Sequence, residues 1–300
     1  MGEPGFPVGV DYCILGYPVS GSASPAIYNR FFEERGLGYR YGVCELPERG
    51  RLGDFVEWAR RRLRGFNVTI PYKESVIPHL DEVDEAGGSI GAVNTVAVVG
   101  GRLRATNTDW LGFVEPLVNV AGGLERERAV ILGAGGAARA AAYALVRRGL
   151  SCEIHVVGRS MRRLQGFREH ALAHGWGECL SFHQLSEAVL RRVVPGSGLV
   201  VNATPLGSYQ YPRETPLPPE LIEEGMVVFD MVYNPPVTTL IRAALDRGAR
   251  VVDGVCMLAT QARENLRYWL GVEADVFELR RSALDYLEGG GRGGGRVQGG

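Results

Sequence analysis

The apolar residues of this chain fall into two regimes. In the first third, short apolar runs alternate with amphipathic stretches. Residues 12–18 (YCILGYP) predict a buried strand that ends in a turn. Residues 24–36 (SPAIYNRFFEERG) predict a helix with Ser24 at its N-cap, Pro25 at its first position and Gly36 as its stop. In residues 51–65, Leu52, Phe55, Val56, Ala59 and Leu63 share one helical face. Residues 66–70 (FNVTI) form a short strand, and Pro71 starts a turn.

A hairpin follows whose register is readable. Residues 94–99 (NTVAVV) and 102–107 (RLRATN) flank Gly100-Gly101, a two-residue turn signal. Pairing Val99 with Arg102 makes Asn94 face Asn107 at the open end and puts Asp109 just beyond, opposite Ala92. Asn94 and Asp109 therefore share one rim. From about residue 125 the pattern changes to repeated strand and helix units. Strand-like runs lie in RAVILG, CEIHVVG, GLVVNAT, MVVFDMV and ARVVDG, with the alanine-rich helix AARAAAYALVRRG after the first. That alternation predicts a parallel, doubly wound sheet, so the fold class is α/β.

Composition narrows the function classes. The chain has 300 residues, 45% apolar and 22% charged, with net charge −1, an ordinary globular composition with no whole-chain pull towards nucleic acid or membrane. No apolar run approaches the ~18 residues of a membrane span, and the N-terminus does not read as a signal peptide. The five cysteines are scattered, odd in number and without a CxxC pair, which fits buried thiols in a reducing cytoplasm. His170 and His174 sit four apart on a predicted helix, but no third ligand is near them in sequence, so no metal is expected. Residues 289–300 are Gly/Arg low complexity and predict a disordered tail.

Two features carry chemistry. Gly133-Ala134-Gly135-Gly136-Ala137-Ala138 matches G-x-G-x-x-A between a strand and a helix. There the glycines permit close approach to a pyrophosphate and the helix N-terminus supplies N–H groups. The next strand ends in Gly158-Arg159, with Arg163 four residues on, where an NAD site carries Asp or Glu; arginine suits the 2′-phosphate of NADP. The second feature is Lys73, the only lysine, since the other 32 of the 33 Lys and Arg residues are arginine. A lysine amine can change protonation state in a protein, which arginine cannot. Hydride transfer from a nicotinamide needs a partner that moves a proton at the substrate oxygen. Lys73 with Asp109 can do so.

The ordered set NVTIPYK, GAVNT, NTDWLGF, GAGGAAR, VNATPLG, DMVY and DGVCMLATQA resembles the shikimate dehydrogenases from about Gly16 to Trp269. The resemblance implies NADPH-dependent reduction of 3-dehydroshikimate to shikimate in aromatic amino-acid biosynthesis. It also implies an N-terminal α/β substrate domain (1–112 with 255–288), a Rossmann-like NADP-binding domain (113–254) and C-terminal helices returning to the first. Lys73 and Asp109 fall on the family's catalytic pair. Ser22, Ser24, Thr69, Asn94, Asn107, Tyr233 and Gln261 fall on substrate-contacting positions. Gly133, Ala134, Gly135, Gly136, Ala137, Arg159 and Arg163 fall on cofactor positions, and Thr204, Met231, Gly254 and Met257 on the nicotinamide side.

There are three departures. The family's His-Ser-x-Ser-Pro is Gly21-Ser22-Ala23-Ser24-Pro25 here; its Gly after the catalytic Asp is Trp110; its Asn before the cofactor arginine is Gly158. The first two are expected beside the substrate. Quinate or aminoshikimate therefore stays open as a substrate, as does a non-catalytic NADP-binding regulator. The expected partners are a small-molecule substrate and NADP, with no nucleic acid and no membrane, in a cytoplasmic monomer or homodimer.

Overall fold

The computed structural model describes residues 6–121 and 128–289. Of the expected tail, all but Gly289 lies outside the described residues. The first unit comprises β1 (Tyr12–Gly16), α1 (Ser24–Glu34), β2 (Tyr41–Glu45), α2 (Leu52–Arg62), β3 (Gly65–Val68), β4 (Glu82–Val83), α3 (Glu85–Ile90), β5 (Thr95–Val99) and β6 (Arg102–Thr106). Its six strands lie in the order β2-β1-β3-β5-β6-β4. The hairpin has the register read from sequence, from Val99↔Arg102 through Thr95↔Thr106. Both turn glycines have positive φ, 58° and 77°, a region that side chains with a Cβ resist.

Helix α4 (Asp109–Ala121) leads to the second unit: β7 (Arg128–Leu132), α5 (Gly136–Arg147), β8 (Glu153–Gly158), α6 (Met161–Ala173), β9 (Leu180–Gln184), α7 (Glu187–Val193), β10 (Leu199–Asn202), β11 (Val227–Asp230), α8 (Thr239–Asp246) and β12 (Arg250–Val252). All its strands are parallel, in the order β12-β11-β10-β7-β8-β9. This is the doubly wound Rossmann order, with the switch point between β7 and β10. Helices α9 (Gly254–Leu270) and α10 (Val276–Glu288) then return to the first sheet. There the Trp269 indole N–H donates to the Val96 carbonyl at 2.9 Å.

The central strands of both sheets are buried on both faces, which is why they read as continuous apolar runs. In β1, Cys13 and Leu15 face the core under α2, while Tyr12 and Ile14 face the core shared with α1, α9 and α10. In β7, Ala129 and Ile131 point to the α5 side and Val130 and Leu132 to the other.

The start of α1 differs from expectation. Ser24 is already helical, Ala23 is the N-cap and Pro25 is the second position. The Ala23 carbonyl accepts the first helical bond, from Ile27 N–H at 3.1 Å, so the helix begins one residue early. Ser22 takes over part of the capping, accepting from Ser24 N–H at 3.2 Å. Gly36 ends the helix as expected, at φ 62°, with Leu37 N–H bonded to the Phe32 carbonyl. Strands β2, β4 and β9 were not singled out from the sequence. In YGVCE the apolar run is interrupted by Gly42, and β4 has two residues.

Two glycines with opposite surroundings test this packing. A Cβ at Gly254 would lie 2.5–2.7 Å from the Val232 and Met231 carbonyl oxygens. These are backbone atoms that cannot step aside, so Gly254→Ala should cost about 1–3 kcal/mol. A Cβ on Gly88, inside α3, meets nothing within 4 Å. Gly88→Ala should therefore stabilise by about 0.5–1 kcal/mol. Denaturant melts of both variants check the signs, and a shared sign would contradict the packing described.

Candidate active site

The open end of the hairpin meets the turn after β3. Lys73 Nζ lies 2.5 Å from Asp109 Oδ2, with the carboxylate side chain 1% exposed. Asp109 Oδ1 accepts from Asn94 Nδ2 at 2.9 Å. Burying an anion is costly unless donors surround it, and here each carboxylate oxygen has one. The hairpin aims these donors. Asn94 Oδ1 accepts from Thr108 N–H at 2.7 Å, and Asn107 Oδ1 accepts from Asp109 N–H at 2.9 Å. Asn107 in turn donates to the Ala92 carbonyl at 2.8 Å. The Lys73 carbonyl accepts from Val93 N–H at 2.9 Å, fixing the lysine turn to the same rim.

A pocket with about 400 Å³ of empty space, counting its mouth, opens beside this pair. Ser24, Thr69, Lys73, Asn94, Tyr233 and Gln261 line it. Asp109, Asn107 and Ser22 stand just behind, buried at 1%, 1% and 5% exposure. Three polar lining residues were missed from sequence: Tyr28, Asn67 and Asn265. Asn265 Oδ1 accepts from Thr95 and Thr108 hydroxyls at 2.6 and 2.8 Å, and its amide donates to Tyr28 Oη at 2.7 Å. Asn67 accepts from the Tyr41 hydroxyl and donates to the Asn94 carbonyl. The only available signal was for Asn67, an Asn inside an otherwise apolar stretch. Burial pushes the Tyr28, Tyr41 and Tyr233 phenols up, so all three stay neutral donors around neutral pH.

The glycine turn lies across the cleft. Gly133 has φ 125°, so only glycine suits it. Gly135 is the N-cap of α5, with no side-chain cap and nothing within 4 Å of where a Cβ would stand. That leaves the first-turn N–H groups facing open space, which fits a pyrophosphate. A Cβ on Gly136 would lie 3.1 Å from both Lys73 Cβ and Ala92 Cβ. This glycine turn and the lysine turn are thus in direct contact. Ala134 and Ala137 complete the turn, both partly buried. Arg159 and Arg163 are exposed past the end of β8, and among the described residues neither makes an ion pair. Both remain available to a phosphate. Thr204 donates its N–H and hydroxyl to Asn202 Oδ1 at 3.0 and 2.7 Å. Met257 packs in the core beneath, with Met231 against it. Gly254 begins α9 at the same edge. Nearby, Asp230 is held by Thr238, Val232 and Asn202, and burial pushes its carboxyl up to about 6.

Trp110 is not a pocket residue. Its ring meets Tyr143 of α5 edge-on at 5.9 Å and lies under Arg148, so this departure fills the space between α4 and α5. Among the described residues His170 and His174 have no common partner. His170 Nε2 contacts the Gly88 and Ser89 carbonyls that end α3, and His174 Nδ1 contacts the His170 carbonyl.

Residues 14–96 match the family model described as shikimate dehydrogenase substrate binding domain. A shikimate dehydrogenase (NADP(+)) of Halothermothrix orenii is 38% identical over 88% of this chain and 92% of its own length. The solved shikimate 5-dehydrogenase of Thermus thermophilus, in complex with NADP(H) and shikimate, superposes with a TM-score of 0.80 at 36% identity. That match covers 93% of this chain and 100% of the other. A quinate dehydrogenase of Corynebacterium glutamicum in complex with NAD superposes with a TM-score of 0.82 at 29% identity, over 92% of this chain and 99% of the other.

The geometry makes Asn94 the keystone of the rim. Asn94→Ala removes the donor to Asp109 Oδ1 and orphans the Thr108 N–H. Denaturant unfolding should show a loss of about 1–3 kcal/mol. A loss under half of that would mean the rim is held by other contacts.

Proposed function

This chain belongs to the shikimate dehydrogenase family, and on that premise we propose that it reduces 3-dehydroshikimate to shikimate with NADPH. One observation carries the reading. The only lysine of the chain is paired with a buried carboxylate at the edge of a polar pocket, in contact with a pyrophosphate-type glycine turn. A regulator would have no use for that pair.

Reducing a ketone adds a hydride at carbon and a proton at oxygen, and bound NADPH supplies the hydride. Lys73 Nζ points into the pocket and donates the proton at the developing alkoxide. Asp109 orients the amine and balances its charge, while Asn94 holds Asp109 in place. In the reverse direction the same pair accepts the proton. Ser22 and Ser24 stand at the N-terminus of α1 with Tyr233 beside them, a set of hydroxyl donors and a helix end suited to the substrate carboxylate. Thr69 and Gln261 complete the polar lining for a small polyhydroxy acid, and Asn107 braces it from behind. Gly133 to Ala137, Thr204, Met231, Gly254 and Met257 form the wall for the cofactor. The division at 112/113 and 254/255 is part of this reading: it falls inside α4 and at the start of α9, the two helices packed against each other between the sheets.

The second reading, a quinate dehydrogenase using NAD, draws on the likeness to the Corynebacterium enzyme. Arg159 decides between the cofactors. Initial rates with shikimate should show NADP⁺ used at least tenfold more efficiently than NAD⁺, about 1.4 kcal/mol. Arg159→Ala should narrow that gap through the NADP⁺ KM. Equal use of both cofactors by the wild type would remove the NADP reading.

Lys73→Arg tests the chemistry. It keeps the positive charge, so substrate KM should move little. Arginine cannot cycle its proton, with a pKa above about 12, so kcat should fall by about 10²–10⁴-fold. Retention of most of kcat across pH 6–9 would reduce Lys73 to a fixed charge.

A further inference from the structure

Gly21 lacks a side chain at a place where another part of the chain has come to rest. A Cβ built on Gly21 would lie 2.9 Å from two ring carbons of Tyr209. Tyr209 comes from the segment after β10, on the other side of the cleft from α1. Backbone conformation is not what makes Gly21 special, because Gly21 lies outside the left-handed region; the constraint is the ring alone. Two hydrogen bonds through Asn234 hold the Tyr209 segment there. Tyr209 N–H donates to the Asn234 carbonyl at 2.8 Å, and Asn234 Nδ2 donates to the Gly21 carbonyl at 3.1 Å. The Tyr209 segment is itself a tight turn, with Tyr211 N–H bonded to the Ser208 carbonyl and Gly207 N–H to the Tyr211 carbonyl.

The three contacts converge on one end of the pocket. Gly21 precedes Ser22, and Asn234 follows Tyr233. Burial pushes the Tyr233 phenol up, and the neighbouring Ser22 hydroxyl pulls it partly back. The ring therefore sits over the segment that presents Ser22 and Ser24 and beside the one that presents Tyr233. It is 44% exposed, so one face is pressed on Gly21 while the rest borders solvent. That is the placement of a surface residue packed beside the segments that carry the lining residues Ser24 and Tyr233, not of a core residue.

We propose that Tyr209 is a specificity-determining residue whose ring, seated on the bare backbone of Gly21, closes the Ser22 and Ser24 end of the substrate pocket. This rests on the functional reading above, which puts the substrate carboxylate at that end. Tyr209 positions the serines and leaves no room for a further substituent on the ring carbon that bears the carboxylate. Shikimate has none there, because that carbon belongs to a double bond; quinate carries a hydroxyl there.

A double-mutant cycle tests this with Tyr209→Ala, Gly21→Ala and the pair. Each is read by kcat and KM for shikimate and for quinate at saturating NADP⁺. Tyr209→Ala should raise the shikimate KM about tenfold, with kcat moving less than threefold, and should raise the quinate-to-shikimate ratio of kcat/KM. Tyr209→Phe, which keeps the ring, should restore the wild-type KM within about twofold. Gly21→Ala should raise KM in the wild-type background and have little effect when Tyr209 is already Ala. Thermal midpoints of all variants separate unfolding from a binding defect, and Tyr209→Leu replaces the alanine variant if that one melts early. Unchanged shikimate KM and an unchanged quinate ratio in Tyr209→Ala, or additive effects in the pair, would overturn the proposal while an active wild type left the function standing. A wild type that neither binds nor oxidises shikimate would overturn both.

Discussion

A carboxylate with 1% of its side chain exposed has to be answered by donors, and the rest of the site follows from how this chain answers for Asp109. Effective penalties for burying an ion run to several kcal/mol. The Lys73 amine and the Asn94 amide offset that cost, one per oxygen. Neither donor is near Asp109 in sequence, so the fold must bring a turn after β3 and the far end of a hairpin to the same point. The hairpin does so by register alone. Asn107 and Thr108 then commit their own polar groups to holding Asn94 and Asp109 at the correct angle.

The same requirement reaches across the cleft. Gly136 approaches Lys73 so closely that a methyl group would press on the lysine stem, which puts the glycine turn within reach of the lysine. Several contacts keep the two units in that relation. Arg263 of α9 grips Glu115 of α4 with both carboxylate oxygens at 2.7–2.8 Å. Arg139 of α5 reaches Glu74, the neighbour of Lys73, at 3.3 Å, while its buried Nε has no hydrogen-bond partner among the described residues. Burial pushes the Arg139 guanidinium down from its usual range, against the pull of Glu74. His170 and Trp176 bond to carbonyls at the end of α3. Burial, first, and the nearby His174 charge push the His170 imidazole down, so at neutral pH it holds these carbonyls as a neutral donor.

Much of this was legible in one dimension because it is written in local rules. Parallel strands buried on both faces must be continuous apolar runs. A G-x-G-x-x-A turn between strand and helix has one well-known use. The Gly100-Gly101 hairpin fixed a register by counting, and the structure has that register. The lone Lys73 stood out against a background of arginine. Ser24 was misread because two serines precede the proline, and only the first helical hydrogen bond decides which one starts the helix.

By itself the sequence determined the α/β class, the doubly wound unit, the hairpin register and the residue types able to move a proton and hold an NADP phosphate. Each follows from periodicity, turn chemistry or charge, which act over a few residues. Only the tertiary structure decided that Asn265, Asn67 and Tyr28 form the floor beneath the rim, since their partners lie 26 to 237 residues away along the chain. It also decided that Trp110 turns away into the packing of α4 on α5, and that a tyrosine from across the cleft rests on Gly21. Contacts of that separation are set by how two sheets and their shared helices pack, and no local pattern encodes the direction in which a side chain will find its neighbour.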